Sequence, residues 1–173
     1  FVTHGSSYMV FYYLCVMKIL FLVIGKTDEV YLETGIVKYI KRLEHYIPFE
    51  MKVIPDIKNR KTLTEEQQKK AEGDLILSQI TYSDDLILLD ENGKTFSSVN
   101  FSQWIEKQIN AGSKRIIFVV GGPYGFSKDV YAKAKFKISL SEMTFSHQMI
   151  RLIFVEQLYR AFTIMKGEPY HHV

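Results

Sequence analysis

Ile116-Ile117-Phe118-Val119-Val120-Gly121-Gly122-Pro123-Tyr124-Gly125-Phe126-Ser127 is the stretch whose reading decides the fold. Five apolar residues without polar alternation read as a strand covered on both faces, the pattern of a parallel sheet. Glycines that permit a tight turn and close backbone approach follow at once, and Ser127 is placed to cap a short helix from about Lys128. Strand, glycine turn and helix N-terminus together form a natural ligand loop, and a plain tight turn would look the same. The spacing is Gly-Gly-x-x-Gly after the fourth strand, not Gly-x-Gly-x-x-Gly after the first. A nicotinamide-type dinucleotide fold is therefore a poor match.

Outward from this stretch the chain repeats the same alternation. Ile19–Ile24, Met51–Ile54 and Leu86–Leu89 have the length and composition of buried strands, and a short strand is expected around Phe136–Leu140. Between the first two, Ile36, Tyr39, Ile40, Leu43 and Ile47 recur at helical spacing, with Lys38, Lys41, Arg42 and Glu44 off that face. Thr64 and Gln67 have capping-box spacing and open a second helix through Ala71, Leu75 and Ile80. A third carries Trp104, Ile105 and Ile109 and stops near Gly112. The last runs from about His147 to Met165. It is apolar on more than one face: Leu152, Val155, Leu158, Tyr159 and Phe162 on one side, with Ile150, Ile153, Phe154 and Ile164 spread around it. A second subunit or complete burial within one domain would each account for that excess.

The expectation is a single α/β domain with a parallel sheet, spanning residues 17–173 of the 173, in a chain that is 47% hydrophobic and 24% charged. Phe1 to Val16 read as an upstream or non-native extension, because a second beginning, Met17-Lys18-Ile19-Leu20, opens the first patterned strand. The apolar run Tyr8 to Met17 is far shorter than the roughly 20 residues of a spanning helix, and no cleavage signal follows it. No membrane association is expected, and the cytoplasm is the expected location. Cys15 is the only cysteine, so no internal disulfide and no Cys/His zinc spacing exists, and no metal site is expected. The net charge of +3 is mild, but Lys58, Arg60 and Lys61 share one loop, and Lys128, Lys133, Lys135 and Lys137 crowd another segment. Both clusters have the charge to track phosphates, and both are also what a solvated surface looks like.

Two further stretches sit where an open α/β sheet places ligands, at strand carboxyl ends: Asp90-Glu91-Asn92-Gly93-Lys94 and Ser139-Leu140-Ser141-Glu142-Met143-Thr144-Phe145-Ser146-His147. Each alone is weak, but three loops at strand ends together form a candidate site.

The ordered motifs Leu-Leu-Asp-Glu-Asn-Gly-Lys at 88–94, Val-Gly-Gly-Pro-Tyr-Gly-Phe at 120–126, Leu-Ser-Glu-Met-Thr-Phe at 140–145, His147-Gln148-Met149-Ile150-Arg151, Glu156-Gln157-Leu158-Tyr159-Arg160-Ala161 and Pro169-Tyr170-His171 closely resemble the RlmH family of the SPOUT class, the ribosomal large-subunit pseudouridine N3-methyltransferases. The resemblance covers Met17 to the end. It implies an α/β fold with a trefoil-knotted carboxyl half, a homodimer, S-adenosyl-L-methionine as methyl donor, and 23S ribosomal RNA in the large subunit or assembled ribosome as substrate. It also implies cofactor contacts at Leu89, Gly122, Ser141, Glu142, Met143, Thr144, Phe145 and Ser146, and a substrate-side group of His147, Arg151, Arg160, Tyr170 and His171. Ser146 stands where that family often has proline, and the tail ends His171-His172-Val173 where a basic residue commonly follows the first histidine.

The chemistry needs a base for a weakly acidic imide N3–H and a cation beside the developing charge. His147 or His171 suits the first role, Arg151 or Arg160 the second. Each has an ordinary reading too: Glu156 and Arg160 have the spacing of a helical ion pair, and His147 sits near a helix N-terminus. Two other functions compete: a catalytically idle RNA-binding or ribosome-associated module on the same fold, which would not need an adenosine site, and, more distantly, a nucleotide-dependent oxidoreductase, opposed by the misplaced glycine turn.

Overall fold

The computed structural model describes residues 17–58 and 60–171. The expectation for Phe1 to Val16 lies outside the described residues. Five strands, β1 (Lys18–Ile24), β2 (Phe49–Ile54), β3 (Asp85–Thr95), β4 (Arg115–Val120) and β5 (Phe136–Ser139), form one sheet in the order β2-β1-β4-β3-β5, and every pairing is parallel. The helices are α1 (Val30–Leu43), α2 (Glu65–Leu77), α3 (Ser98–Asn110), α4 (Lys128–Lys133) and α5 (Met149–Met165).

The continuous apolar strands are explained by a core on each side of the sheet. Ile19, Phe21 and Val23 of β1 face one side and pack with Ile36 and Leu43 of α1, Phe101 and Ile105 of α3, and Phe154, Val155 and Leu158 of α5. Leu20, Leu22 and Ile24 face the other, against Ile76 of α2, Phe126 of the turn after β4, and Val130 of α4. Successive strand residues point to opposite faces, so strands covered twice must be apolar at every position. The expected parallel α/β architecture is thus observed; the trefoil knot stays an implication of the resemblance.

The starts of α2 and α4 follow the caps expected from the sequence, and α3 adds a third. Thr64 Oγ1 accepts from Gln67 N and the Gln67 side chain accepts from Thr64 N, a complete capping box, while Ser97 and Ser127 cap α3 and α4. The face of α2 differs from expectation: Gln68, Glu72, Gly73 and Ile76 are buried, whereas Leu75 is exposed and Ile80 falls past the helix end. That face meets the 121–127 turn. A Cβ on Gly73 would strike the Ser127 hydroxyl, so only glycine lets helix and turn approach this closely.

α5 is wedged between α1 and α3, and a Cβ on Gly35 would lie 2.9 Å from Leu152 Cδ1. Burial within one chain therefore accounts for Phe154, Val155, Leu158, Ala161 and Phe162, while Leu152, Ile153 and Ile164 keep partial exposure. The helix starts at Met149, two residues later than expected. Ser146 anchors its first turn, its Oγ accepting from Met149 N (3.2 Å) and its carbonyl from Ile150 N (3.0 Å). Ser146 thus secures the entry of the helix through both its side chain and its backbone.

Candidate active site

A cavity of about 620 Å³ opens at the carboxyl ends of β3, β4 and β5, where the sheet order places a ligand crevice. Leu89, Val120, Ile138 and Ile150 supply apolar lining, and the three loops anticipated from the sequence form its polar walls.

The first wall is a bulge. β3 pairs with β5 through Leu89↔Ile138, leaves the ladder, and returns with Lys94 again opposite Ile138. Residues 90–93 are therefore extruded as a bulge within β3, so the stretch expected at the strand's carboxyl end is flanked by strand on both sides. Gly93 makes this possible, because a Cβ there would lie 2.5 Å from the Ile138 carbonyl carbon. Asp90 closes the bulge by accepting from Asn92 N (2.8 Å), and Tyr131 of α4 donates to its other oxygen (2.5 Å). Burial, helped by Asp90, pushes the Tyr131 phenol up to about 12, so it remains a neutral donor at any physiological pH.

The second wall is the glycine turn, where Gly125 at φ +79° donates its N–H to the Gly122 carbonyl (3.1 Å). A Cβ on Gly122 would collide with the Glu72 carboxylate of α2. What lies behind the turn therefore requires glycine at this position. The third wall, 139–147, is braced internally: Ser139 Oγ donates to Ser141 O (2.7 Å), and Met143 N donates to Ser141 Oγ (2.9 Å). Thr144 Oγ1 reaches Glu91 Oε2 (3.5 Å), so the first and third walls nearly touch.

Of the residues singled out from the sequence, Leu89, Gly122, Ser141, Met143, Thr144, Phe145, Ser146 and His147 line this cavity. Glu142 is exposed and lies outside the lining. Arg151 does not line it either. Its side chain is fully buried, donating to Ile24 O (2.6 Å), Gly25 O (3.0 Å), Thr27 Oγ1 (3.1 Å) and His147 O (3.0 Å). Desolvation lowers its pKa from the ordinary arginine range, with Asp28 and Asp56 opposing. Three carbonyls and a hydroxyl occupy the guanidinium, which braces the start of α5 against the end of β1.

Arg160, Tyr170 and His171 form a second constellation near the far end of α5, about 15 Å along the helix from Ile150 at 1.5 Å per residue. Arg160 Nη2 donates to Glu156 Oε1 (2.6 Å), its guanidinium lies 4.7 Å over the Tyr170 ring, and its Nη1 is 3.4 Å from His171 Nδ1. Tyr170 donates to Glu156 Oε1 (3.0 Å) and meets Tyr39 Oη at 3.2 Å. Burial first, and then these partners, raise its pKa well above the ordinary phenol range. The helical ion pair that competed for Arg160 does form, and it holds the tail instead of standing alone. Tyr46 donates to Glu168 and fixes the approach to this tail.

The sequence reading missed Tyr131, Ile138 and Ile150 as cavity residues and Glu72 as the backing of Gly122. The spacing of α2 carried a signal for Glu72 only in hindsight, since a charged residue at a helical position reads as solvated. Among the described residues, no three His, Cys, Asp or Glu side chains converge as a metal site, and no helix is long and apolar enough to cross a membrane.

A doubly covered parallel sheet with a loop-built pocket over its carboxyl edge is a layout for small-molecule-dependent catalysis, and the comparisons specify which. The chain belongs to the SPOUT methyltransferase family, whose model, described as "Predicted SPOUT methyltransferase", matches residues 17–171. It is 64% identical to the ribosomal RNA large subunit methyltransferase H of Flavobacterium psychrophilum and 61% identical to that of Flavobacterium johnsoniae, in each case over 90% of this chain and 99% of the relative. A solved structure of a probable methylase family protein from Haemophilus influenzae Rd KW20 is 12% identical with a TM-score of 0.49, covering 88% of this chain and 67% of that one.

Proposed function

We propose that this chain methylates N3 of a pseudouridine in 23S ribosomal RNA, in the large subunit or assembled ribosome, working in the cytoplasm as a homodimer with S-adenosyl-L-methionine as donor. The observation that carries the reading is the loop-walled cavity itself, which holds eight of the thirteen residues singled out from the sequence. Its chemistry fits the donor: apolar side chains to flank an adenine, backbone N–H and C=O groups in three loops, and the Asp90 and Glu91 carboxylates at the margin to suit a cationic ligand. When bound, the donor supplies an electrophilic methyl group.

The chain's own residues would do the rest. Leu89, Gly122, Ser141, Met143, Thr144, Phe145 and Ser146 would hold and orient the donor, with Glu142 the weakest member of that set because it is exposed and outside the cavity lining. His147, exposed at the cavity rim, is placed to accept the N3 proton. Arg151 positions this histidine by donating to its carbonyl. Arg160, Tyr170 and His171 stand too far along α5 to serve the cavity of their own chain, so they would serve that of a second copy. There the tyrosine could stack on the base while Arg160 faces its carbonyls.

Calorimetry with the purified protein should show micromolar binding of S-adenosyl-L-methionine. Ribosomes from a strain lacking this chain should gain one methyl group on pseudouridine N3, mapped by mass spectrometry of nuclease fragments. Absence of cofactor binding would overturn the reading, and light scattering that gave a monomer at micromolar concentration would remove the shared site.

A further inference from the structure

A second groove, of about 680 Å³, lies beside the cavity and shares Asp90, Asn92 and Tyr131 with it. The remaining border is Gly93, Lys94, Ala134, Lys135, Phe136 and Lys137, so three lysines face one aspartate, and that aspartate already accepts from Tyr131. Lys137 lies on the edge strand β5 and Lys135 immediately precedes it, two residues away along the chain. Lys135 is within 2.8 Å of Asp85 and still half exposed. Lys137 and Lys94 are exposed and pair with no carboxylate among the described residues; their ammonium groups lie 5.5 Å and 5.2 Å over the rings of Tyr131 and Phe96. Lys128 and Lys133 of α4 are exposed as well but stand outside the groove's border. Two of the four lysines clustered in the sequence, Lys135 and Lys137, thus border a groove that shares a wall with the candidate active site.

We propose that this groove is the path of the RNA strand on one side of the target base, with Lys94 and Lys137 holding its phosphates and Tyr131 offering a ring face to a flanking base. The inference rests on the RNA-modifying reading above. Charge complementarity selects the occupant. Phosphodiesters answer unpaired lysines, the aromatic faces answer bases, and the shared wall at residues 90–92 means that a strand lying here leads into the cavity. Lysines on an edge strand also discourage pairing with another chain. Such a guarding role would leave substrate affinity untouched.

The test uses the full chain and ribosomes from a strain lacking it, with binding followed by sedimentation between 50 and 200 mM salt. Each phosphate contact on a single strand contributes about 0.7 to the slope of log affinity against log salt. Lys94→Gln/Lys137→Gln should therefore lower the slope by about 1.4 and weaken binding roughly 25-fold at 0.1 M salt. Cofactor affinity and oligomeric state should hold. The control Lys38→Gln/Lys41→Gln, with the same charge change on the exposed side of α1, should leave the slope nearly unchanged, and Lys94→Arg/Lys137→Arg should retain binding. Unchanged affinity and slope in the glutamine variant would overturn the groove while leaving the proposed function standing. So would loss of binding that tracked dissociation of a dimer. No ribosome binding by the unaltered protein would overturn both.

Discussion

Replacing Arg151 by alanine separates a framework role from a catalytic one. The side chain is fully buried and makes four hydrogen bonds, three of them to the backbone carbonyls of Ile24, Gly25 and His147. Truncation would leave those carbonyls without the donor and open a cavity the size of a large side chain. An unsatisfied buried polar group costs about 1–3 kcal/mol, but the carbonyls share one guanidinium whose own desolvation is relieved, so the terms do not simply add. A net loss of about 4 kcal/mol follows, a large share of the 5–15 kcal/mol typical of a domain, and it corresponds to a fall in Tm of about 10 °C at this chain length. Differential scanning calorimetry measures that fall, and methyl transfer to ribosomes, assayed well below the lowered Tm, measures the catalytic consequence. If Arg151 acts by bracing the start of α5, most of the defect at low temperature should be a change in KM or a partial loss of kcat. An Arg151→Ala protein that melted normally and yet was inactive would refute the framework reading and restore Arg151 to direct contact with the substrate.

Three other outcomes follow from particular contacts. Gly122→Ala should both destabilise the fold and weaken cofactor binding by more than about tenfold, equivalent to ~1.4 kcal/mol, because the new methyl group meets the Glu72 carboxylate and displaces the turn; normal calorimetric affinity would show that the turn yields freely. Asp84 is held at about 2 by the Arg115 fork, with burial opposing, and it also accepts from Thr81. Its folded pKa lies below its unfolded value, so its contribution of about 2 kcal/mol is present above pH 4 and is lost as pH falls toward 2; urea midpoints at pH 7 and pH 3 should converge on those of Asp84→Asn as the pH is lowered. Deleting residues 169–173 removes Tyr170 and His171 from Arg160 and Glu156. Folding and cofactor binding should survive while methyl transfer falls steeply, and a full transfer rate would return these residues to the status of a packed terminus.

Strands, helices and their caps were legible because their causes are local or periodic. A strand buried on both faces must be apolar throughout, and Thr64 and Ser127 cap helices through atoms three residues away. The three cavity loops were legible for a related reason: each follows a strand, and parallel sheets collect their ligands at that edge. Tertiary structure decided what periodicity cannot carry. Whether Arg151 meets RNA or the carbonyl of Ile24 depends on a partner 127 residues away in the chain. The reason for Gly122 lies in Glu72 on another helix, on a face where Gln68 and Glu72 are buried and Leu75 is not. The extrusion of residues 90–93 depends on β5 taking Lys94 back at Ile138. Sequence spacing reports which residues share a face. It holds no record of which polar group the folded chain will set opposite that face, and there the fate of each charged side chain was settled.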